Sequence, residues 1–439
     1  MVSSTGKTDV NEGAERACQG SGLARAKRRR LALLATIVLF GTGAAVIFHY
    51  VMAYYLGHGY PYSTFLFLPR DHFNDWNNTY RYARHFLNGQ PAPFVYFPFA
   101  FLVVGIATVL PMSVGLALLS LAYVAALAGL LWRYALNVLP GVQLKLQYAF
   151  ILVVMAYPVL FTADRGNLEM LVFLAVGGMF FFVYRRRSDW GAGLCLAAAI
   201  AMKLYPATLI VLLLAERRFK AAAAAAVGAL VLTVGATAAL AALSGRGMMA
   251  VWHQAYAEKG VYQSIQVDGG AGLQHSHTLW NVLHLPGLLA GAAEHPWAHT
   301  AYVLAVLAIF ALLAVHVLFR ESESWRKAAL MVIAAIALPF VSADYTTPLL
   351  FFPLVMFLNS RRVSRFDAVY TCLFGLLLIP VDYHYFGSIG LGDTSISVLV
   401  YGIALAALAV LTVRDTAPAP ALEPARLPAR PGVLSGGAR

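Results

Sequence analysis

Charge is scarce in this chain: Asp, Glu, Lys and Arg make up 12% of its 439 residues, about half the share of an ordinary soluble domain. Apolar residues reach 60% and the mean hydropathy is +0.70, which excludes a water-soluble globular enzyme, a disordered chain and a fibrous repeat. Cysteine is nearly absent. Cys18, Cys195 and Cys372 lie far apart, giving neither a disulfide framework nor metal-ligand spacing. No Walker A loop and no Gly-x-Gly-x-x-Gly opening a helix occurs, and no hydrophilic stretch is long enough to fold around a nucleotide, so no cofactor is expected. Acidic residues are the scarcer sign, 20 against 32 basic, for a net charge of +12. The basic residues sit at the ends of apolar runs, where they anchor helices to the cytoplasmic face and to anionic lipid, and no nucleic-acid partner is expected.

What the chain has instead is long apolar runs. At ~20 residues per crossing, its length allows about ten to thirteen transmembrane helices, so an all-α polytopic membrane protein is expected. Residues 1–30 read as a cytoplasmic N-terminal tail. Met1 to Gly22 is polar and carries Asp9, Glu12 and Glu15, unlike a cleavable signal, and the first run, Leu31 to Tyr54, reads as a signal anchor. Residues 31–414 form one membrane domain, with outer loops at about 55–96 and 244–277, and 415–439 read as a disordered cytoplasmic tail. Lys27 to Arg30 place the N-terminus inside. Keeping the clusters Arg185 to Arg187 and Arg217 to Lys220 on that same side requires a broken pair of half-helices, Gly191 to Met202 and Pro206 to Leu214. Lys203-Leu204-Tyr205-Pro206 is then lifted toward the outer half, and Pro206 supplies the break. Leu146 to Phe161 reads as one crossing and Thr278 to Leu289 as a partial helix.

With the anchors set aside, the remaining ionisable residues fall on the outer side, where buried charge marks a pathway or reaction centre. Asp71 and Asp75 share one side of their segment if it is helical. Either suits a general base, or both are solvated loop carboxylates. Lys203 interrupts an apolar stretch, so it either snorkels or meets an outer-leaflet phosphate. Arg165, before Gly166 and Asn167 at a helix start, either binds an anion or pairs with Asp164 or Glu169. His275 and His277, with Trp280 and His284, have unspecific spacing for a metal. No metal is expected there, and phosphate contact by a histidine or sugar stacking on Trp280 fits better. Asp344-Tyr345 and Asp382-Tyr383-His384-Tyr385 either line the same cavity or cap helices.

Three stretches in order carry a family likeness. Asp75-Trp76 leads to Tyr80, Tyr82-Ala83, Leu87-Asn88-Gly89 and Tyr96-Phe97-Pro98-Phe99; Arg165-Gly166-Asn167-Leu168 follows; and Gly193 to Ala199 leads to Lys203, Tyr205-Pro206 and Glu216-Arg217-Arg218. Together they resemble glycosyltransferase family 87, the polyprenyl-phosphate-mannose-dependent mannosyltransferases with the GT-C membrane fold. The likeness covers roughly the first 220 residues well and the rest loosely, and at Asp344 the sequence departs from relatives that carry Trp and His. It implies a GT-C-like bundle whose first outer loop carries short helices, and a polyprenyl-phosphate sugar as donor. It also implies an inverting displacement with Asp75 as base and Asp71 in reserve. Lys203 matches the family's position near the donor phosphate. Arg165, His275 and His277 are the further candidate phosphate ligands, and Tyr205, Trp280, Asn167, Tyr96 and Asp344 the candidate cavity walls. The expected partners are the donor, a lipid or glycan acceptor and membrane lipids, and the expected location is a bacterial plasma membrane with the active site on the extracytoplasmic face. Two other readings share the broken helices and buried cations: a transporter or flippase of lipid-linked saccharides, and a ligase moving a preassembled glycan.

Overall fold

The computed structural model describes residues 6–90, 92–93, 96–268, 271–290, 297–386 and 394–415; most of the expected C-terminal tail, 416–439, lies outside them. Helix α1 (Gly6–Tyr54) is continuous, and its part Gly22–Tyr54 is long and apolar enough to cross a membrane. The polar segment after α1 carries a one-turn helix, Pro69–Asp71, and α2 (Asn74–Leu87). The buried residues of α2, Trp76, Thr79, Tyr80, Ala83 and Phe86, fall at helical spacing on one face, which packs on α3 (Pro98–Ala107). Trp76 Nε1 donates to the Met112 carbonyl at 2.9 Å and Tyr80 OH to that of Leu110 at 2.6 Å. These bonds fix α2 to the corner where α4 (Met112–Leu130) begins.

Next come α5 (Val142–Val153) and α6 (Tyr157–Arg165), bent by 61° at their junction. The crossing read over Leu146 to Phe161 is thus bent within its length. Pro158, in the first turn of α6, lacks an N–H and disfavours a helical residue before it, and the Tyr157 N–H turns to the Leu378 carbonyl at 2.8 Å. Helix α7 (Glu169–Phe181) and α8 (Asp189–Met202) follow, then a one-turn helix at Tyr205–Thr208, α9 (Leu209–Ala215) and α10 (Phe219–Ser244). The chain breaks at Lys203-Leu204. Arg218 reaches back to Asp189 at 3.1 Å, so both basic clusters lie at one end. Helices α8 and α10 pack closely through small residues: a Cβ on Gly193 would lie 2.6 Å from Ala224 Cβ and 2.8 Å from the Ala221 carbonyl oxygen, the way helices approach without a hydrophobic drive.

The polar segment after α10 contains α11 (Met248–Gln263), a helix its polarity did not announce. The run is rich in helix formers and has no proline, so local propensity suffices where span-like hydrophobicity is missing. The rest are α12 (Leu279–Leu289), α13 (Trp297–Phe319), α14 (Ser324–Ala337), a short helix at Asp344–Leu350 leading into α15 (Phe351–Leu358), α16 (Asp367–Leu376) and α17 (Ser397–Arg414). His384–Phe386 pairs with Thr394–Ser395 in a minimal ladder. Among the described residues, five helices satisfy the length and apolarity of a span, six if the bent α5–α6 pair is one; shorter apolar helices accompany them.

One end of the bundle is basic and ion-paired. Arg30, 3% exposed, binds Asp367 and the carbonyls of Phe357, Ser360 and Arg362; Arg326 pairs with Asp415, and Lys327 with Glu216 at 3.6 Å. Farther along α1, His49 Nδ1 meets the Tyr62 carbonyl at 2.8 Å and its ring faces Tyr383. The segments 55–96 and 244–277 and the Lys203 break gather toward this second end.

Candidate functional site

The Asp75 carboxylate is in the first turn of α2, where a helix N-terminus favours negative charge. Opposite it, α6 ends at Arg165 with Gly166 in the left-handed region at φ +60°, and α7 starts two residues past Asn167. Arg165 pairs with one oxygen of Asp75, and Asn167 Nδ2 donates to the other at 2.5 Å. The side-chain oxygen of Asn167, a residue 1% exposed, accepts the Glu169 N–H at 2.9 Å and faces Lys203 Nζ at 3.4 Å. Lys203 Nζ in turn donates to Glu169 Oε1 at 2.6 Å, and Tyr205 OH donates to the second Glu169 oxygen. Above the ammonium stand the rings of Tyr96 at 5.1 Å and Tyr345 at 5.0 Å, a cation–π cage.

One amide thus links the Asp75–Arg165 pair to the Lys203–Glu169 pair, through the Asp75 carboxylate on one side and the Lys203 ammonium on the other. The side chains of Asp75, Arg165 and Lys203 keep 16%, 18% and 16% of their surface, while Glu169 keeps 3%. Three charged groups therefore retain a face for a ligand and the fourth serves as internal counter-charge. Phe67 lies under Arg165, 4.1 Å from its guanidinium carbon. The loop that carries Phe67 is clamped to α6 by Asp164. Its carboxylate accepts the Phe67 N–H at 3.1 Å and pairs with His72, and its carbonyl accepts the Phe73 N–H at 2.6 Å.

The structure brings Asp75, Arg165, Asn167, Lys203, Tyr205 and Tyr96 together. Other candidates go elsewhere. Asp71 sits in the separate turn Pro69–Asp71, 44% exposed and 3.6 Å from Arg70. Phe73, at φ +59°, interrupts the helix between the two aspartates, so the argument for a shared face fails. His277 is fully buried with Nδ1 3.0 Å from Asp344 Oδ1. Burial pulls its pKa down to about 3, so it is neutral and offers no surface to a phosphate. His275 packs on Phe67 and Phe161, with Nδ1 3.7 Å from Asp382. Trp280 lies in another aromatic cluster, against His284, His299, Tyr302 and Phe340, and packs that cluster rather than walling the Asp75 centre. Asp344 turns away from the centre, but its neighbour Tyr345 enters it.

Arg165 meets Asp75 rather than Asp164 or Glu169. The sequence reading offered Tyr345 only as lining a cavity or capping a helix and Glu169 only as a partner for Arg165, and placed neither beside Lys203. A lysine buried in an apolar run requires a buried carboxylate, and Glu169, in the first turn of an otherwise apolar helix, is where that demand could have been traced.

The sequence model of glycosyltransferase family 87 matches residues 94–353. That range includes Tyr96, Arg165, Asn167, Glu169, Lys203 and Tyr345, and it begins after Asp75. No curated protein and no solved structure matches the chain.

Proposed function

Since the chain belongs to glycosyltransferase family 87 and is an integral membrane glycosyltransferase, we propose that it takes its sugar, mannose, from a polyprenyl-phosphate carrier. The transfer goes to a lipid or glycan hydroxyl at the extracytoplasmic face of a bacterial plasma membrane. The observation that carries this reading is the Asn167 bridge, which sets a partly open carboxylate and a caged ammonium on either side of one amide. The basic end, with Arg30 and Arg326, supports the placement, because Lys and Arg mark the cytoplasmic side.

In this reaction the acceptor oxygen attacks the anomeric carbon from the face opposite the phosphate. The new C–O bond forms as the bond to the phosphate oxygen breaks, the acceptor proton passes to Asp75, and the lipid phosphate leaves as an anion. Lys203 and Arg165 stabilise the departing charge. Their pairing with Glu169 and Asp75 gives donor binding a second consequence. A phosphate drawing Arg165 toward itself releases the Asp75 oxygen that takes the proton, so the base becomes available when the donor is seated.

The test is transfer of labelled mannose from polyprenyl-phosphate mannose by purified full-length protein, with a membrane lipid extract as acceptor. Asp75→Asn is expected to lower the rate by about 10²–10⁴-fold, the range for loss of a general base. Full activity in that variant would remove the mechanism.

A further inference from the structure

Beside the Asp75 centre, three chain-distant segments bring metal-ligating atoms together. His275, Asp344 and Asp382 each present one such atom, and these lie within 4.8 Å of one another. Both carboxyl groups are fully buried, and two acidic groups this close in a low-dielectric interior need a shared positive charge, a metal ion or a proton.

The ligand positions are set by backbone as well as by side chains. The Asp344 N–H donates to the His275 carbonyl at 2.9 Å, the His277 N–H to that of Ser342 at 3.3 Å, and Ser276 and Ala343 form a bridge. Each carboxylate is further oriented. Tyr157 OH donates to Asp344 Oδ2 at 3.3 Å, with His277 3.0 Å from Oδ1, and Ser395 OH donates to Asp382 Oδ1 at 3.0 Å. Such outer partners hold the first ligands of metal sites in position. One imidazole and two carboxylates make a borderline nitrogen and oxygen donor set, suited to zinc or a similar transition-metal cation.

We propose that His275, Asp344 and Asp382 hold one divalent transition-metal cation that ties the second outer segment to the loops before α15 and after α16. The ion is structural. It secures His275 behind Phe67, the ring on which Arg165 rests, and so braces the glycosyl-transfer centre from outside.

The test uses the full-length protein in nanodiscs, stripped with a chelator, desalted and titrated with zinc chloride; bound metal is read by mass spectrometry and stability by thermal unfolding. About one equivalent is expected to be retained per chain, with a reversible rise in the unfolding midpoint. His275→Ala and Asp382→Asn are each expected to weaken zinc binding about tenfold or more. The stripping and re-addition on the unsubstituted chain decides the matter even if a variant fails to fold. Absence of stoichiometric zinc together with an unmoved midpoint would overturn the proposal. So would an Asp382→Asn variant that melts higher and is indifferent to zinc, the behaviour of a carboxyl pair sharing a proton.

Discussion

Lys203 is held by two kinds of contact, a buried carboxylate at 2.6 Å and a pair of aromatic faces at about 5 Å. Removing Glu169 alone strands an ammonium that is only 16% exposed, and removing Lys203 alone strands a carboxylate that is 3% exposed. Both single changes are costly for the same reason, the desolvation of an unpaired charge. Glu169→Gln and Lys203→Met are each expected to lower the unfolding midpoint. The double variant should recover part of the loss, with a coupling energy of about 1–3 kcal/mol in a double-mutant cycle on the detergent-solubilised protein. Additive losses would show that the two side chains do not depend on each other. Lys203 was legible from the sequence because an ammonium within an apolar run demands a partner. Which carboxylate answers it was not, since Asp71, Asp75, Asp164 and Glu169 all lay within the same outer set and only packing chooses among them.

At the scale of elements, the site depends on how closely α2 approaches the end of α6. Gly166 permits this in two ways. Its φ of +60° is one that a side chain disfavours, and a Cβ there would lie 2.9 Å from Trp76 Cβ. Gly166→Ala is expected to cost about 1–2 kcal/mol from the left-handed backbone alone and to push α2, with Asp75, away from Arg165 and Asn167. The midpoint and the transfer rate should both fall, whereas Gly129→Ala, at a helical position with nothing within 4 Å, should leave both nearly unchanged. Equal behaviour of the two variants would refute the close-approach argument. The amphipathic face of α2 is visible in its 76, 79, 80, 83, 86 spacing. The left-handed Phe73 that separates Asp71 from it is not, because that conformation is held by a tertiary bond to the Asp164 carbonyl.

Across the whole molecule, the two ends differ in chemistry: one is a belt of arginine and lysine pairs around Arg30, Arg218 and Arg326, the other carries the Asp75 and His275 centres. Single cysteines at the exposed Arg187 and Asn88, in a background with Cys18, Cys195 and Cys372 replaced, are expected to react with a membrane-impermeant maleimide from opposite faces. In right-side-out vesicles Asn88→Cys should label and Arg187→Cys should label only after permeabilisation. Labelling of both from one face would remove the orientation on which the extracytoplasmic reaction rests.

Hydropathy and the placement of positive charge were sufficient to specify a polytopic helical membrane protein, the break at Lys203-Leu204 and the buried charges that mark a site, because a span is a local property of about twenty consecutive residues and a lipid environment tolerates few exceptions. The Asp75–Arg165 pair, the Asn167 bridge, the enclosure of His277 and the meeting of His275, Asp344 and Asp382 were decided by tertiary structure alone. Each joins residues far apart in the chain, and the energy of a buried polar contact depends on geometry and desolvation, which no spacing along a sequence records.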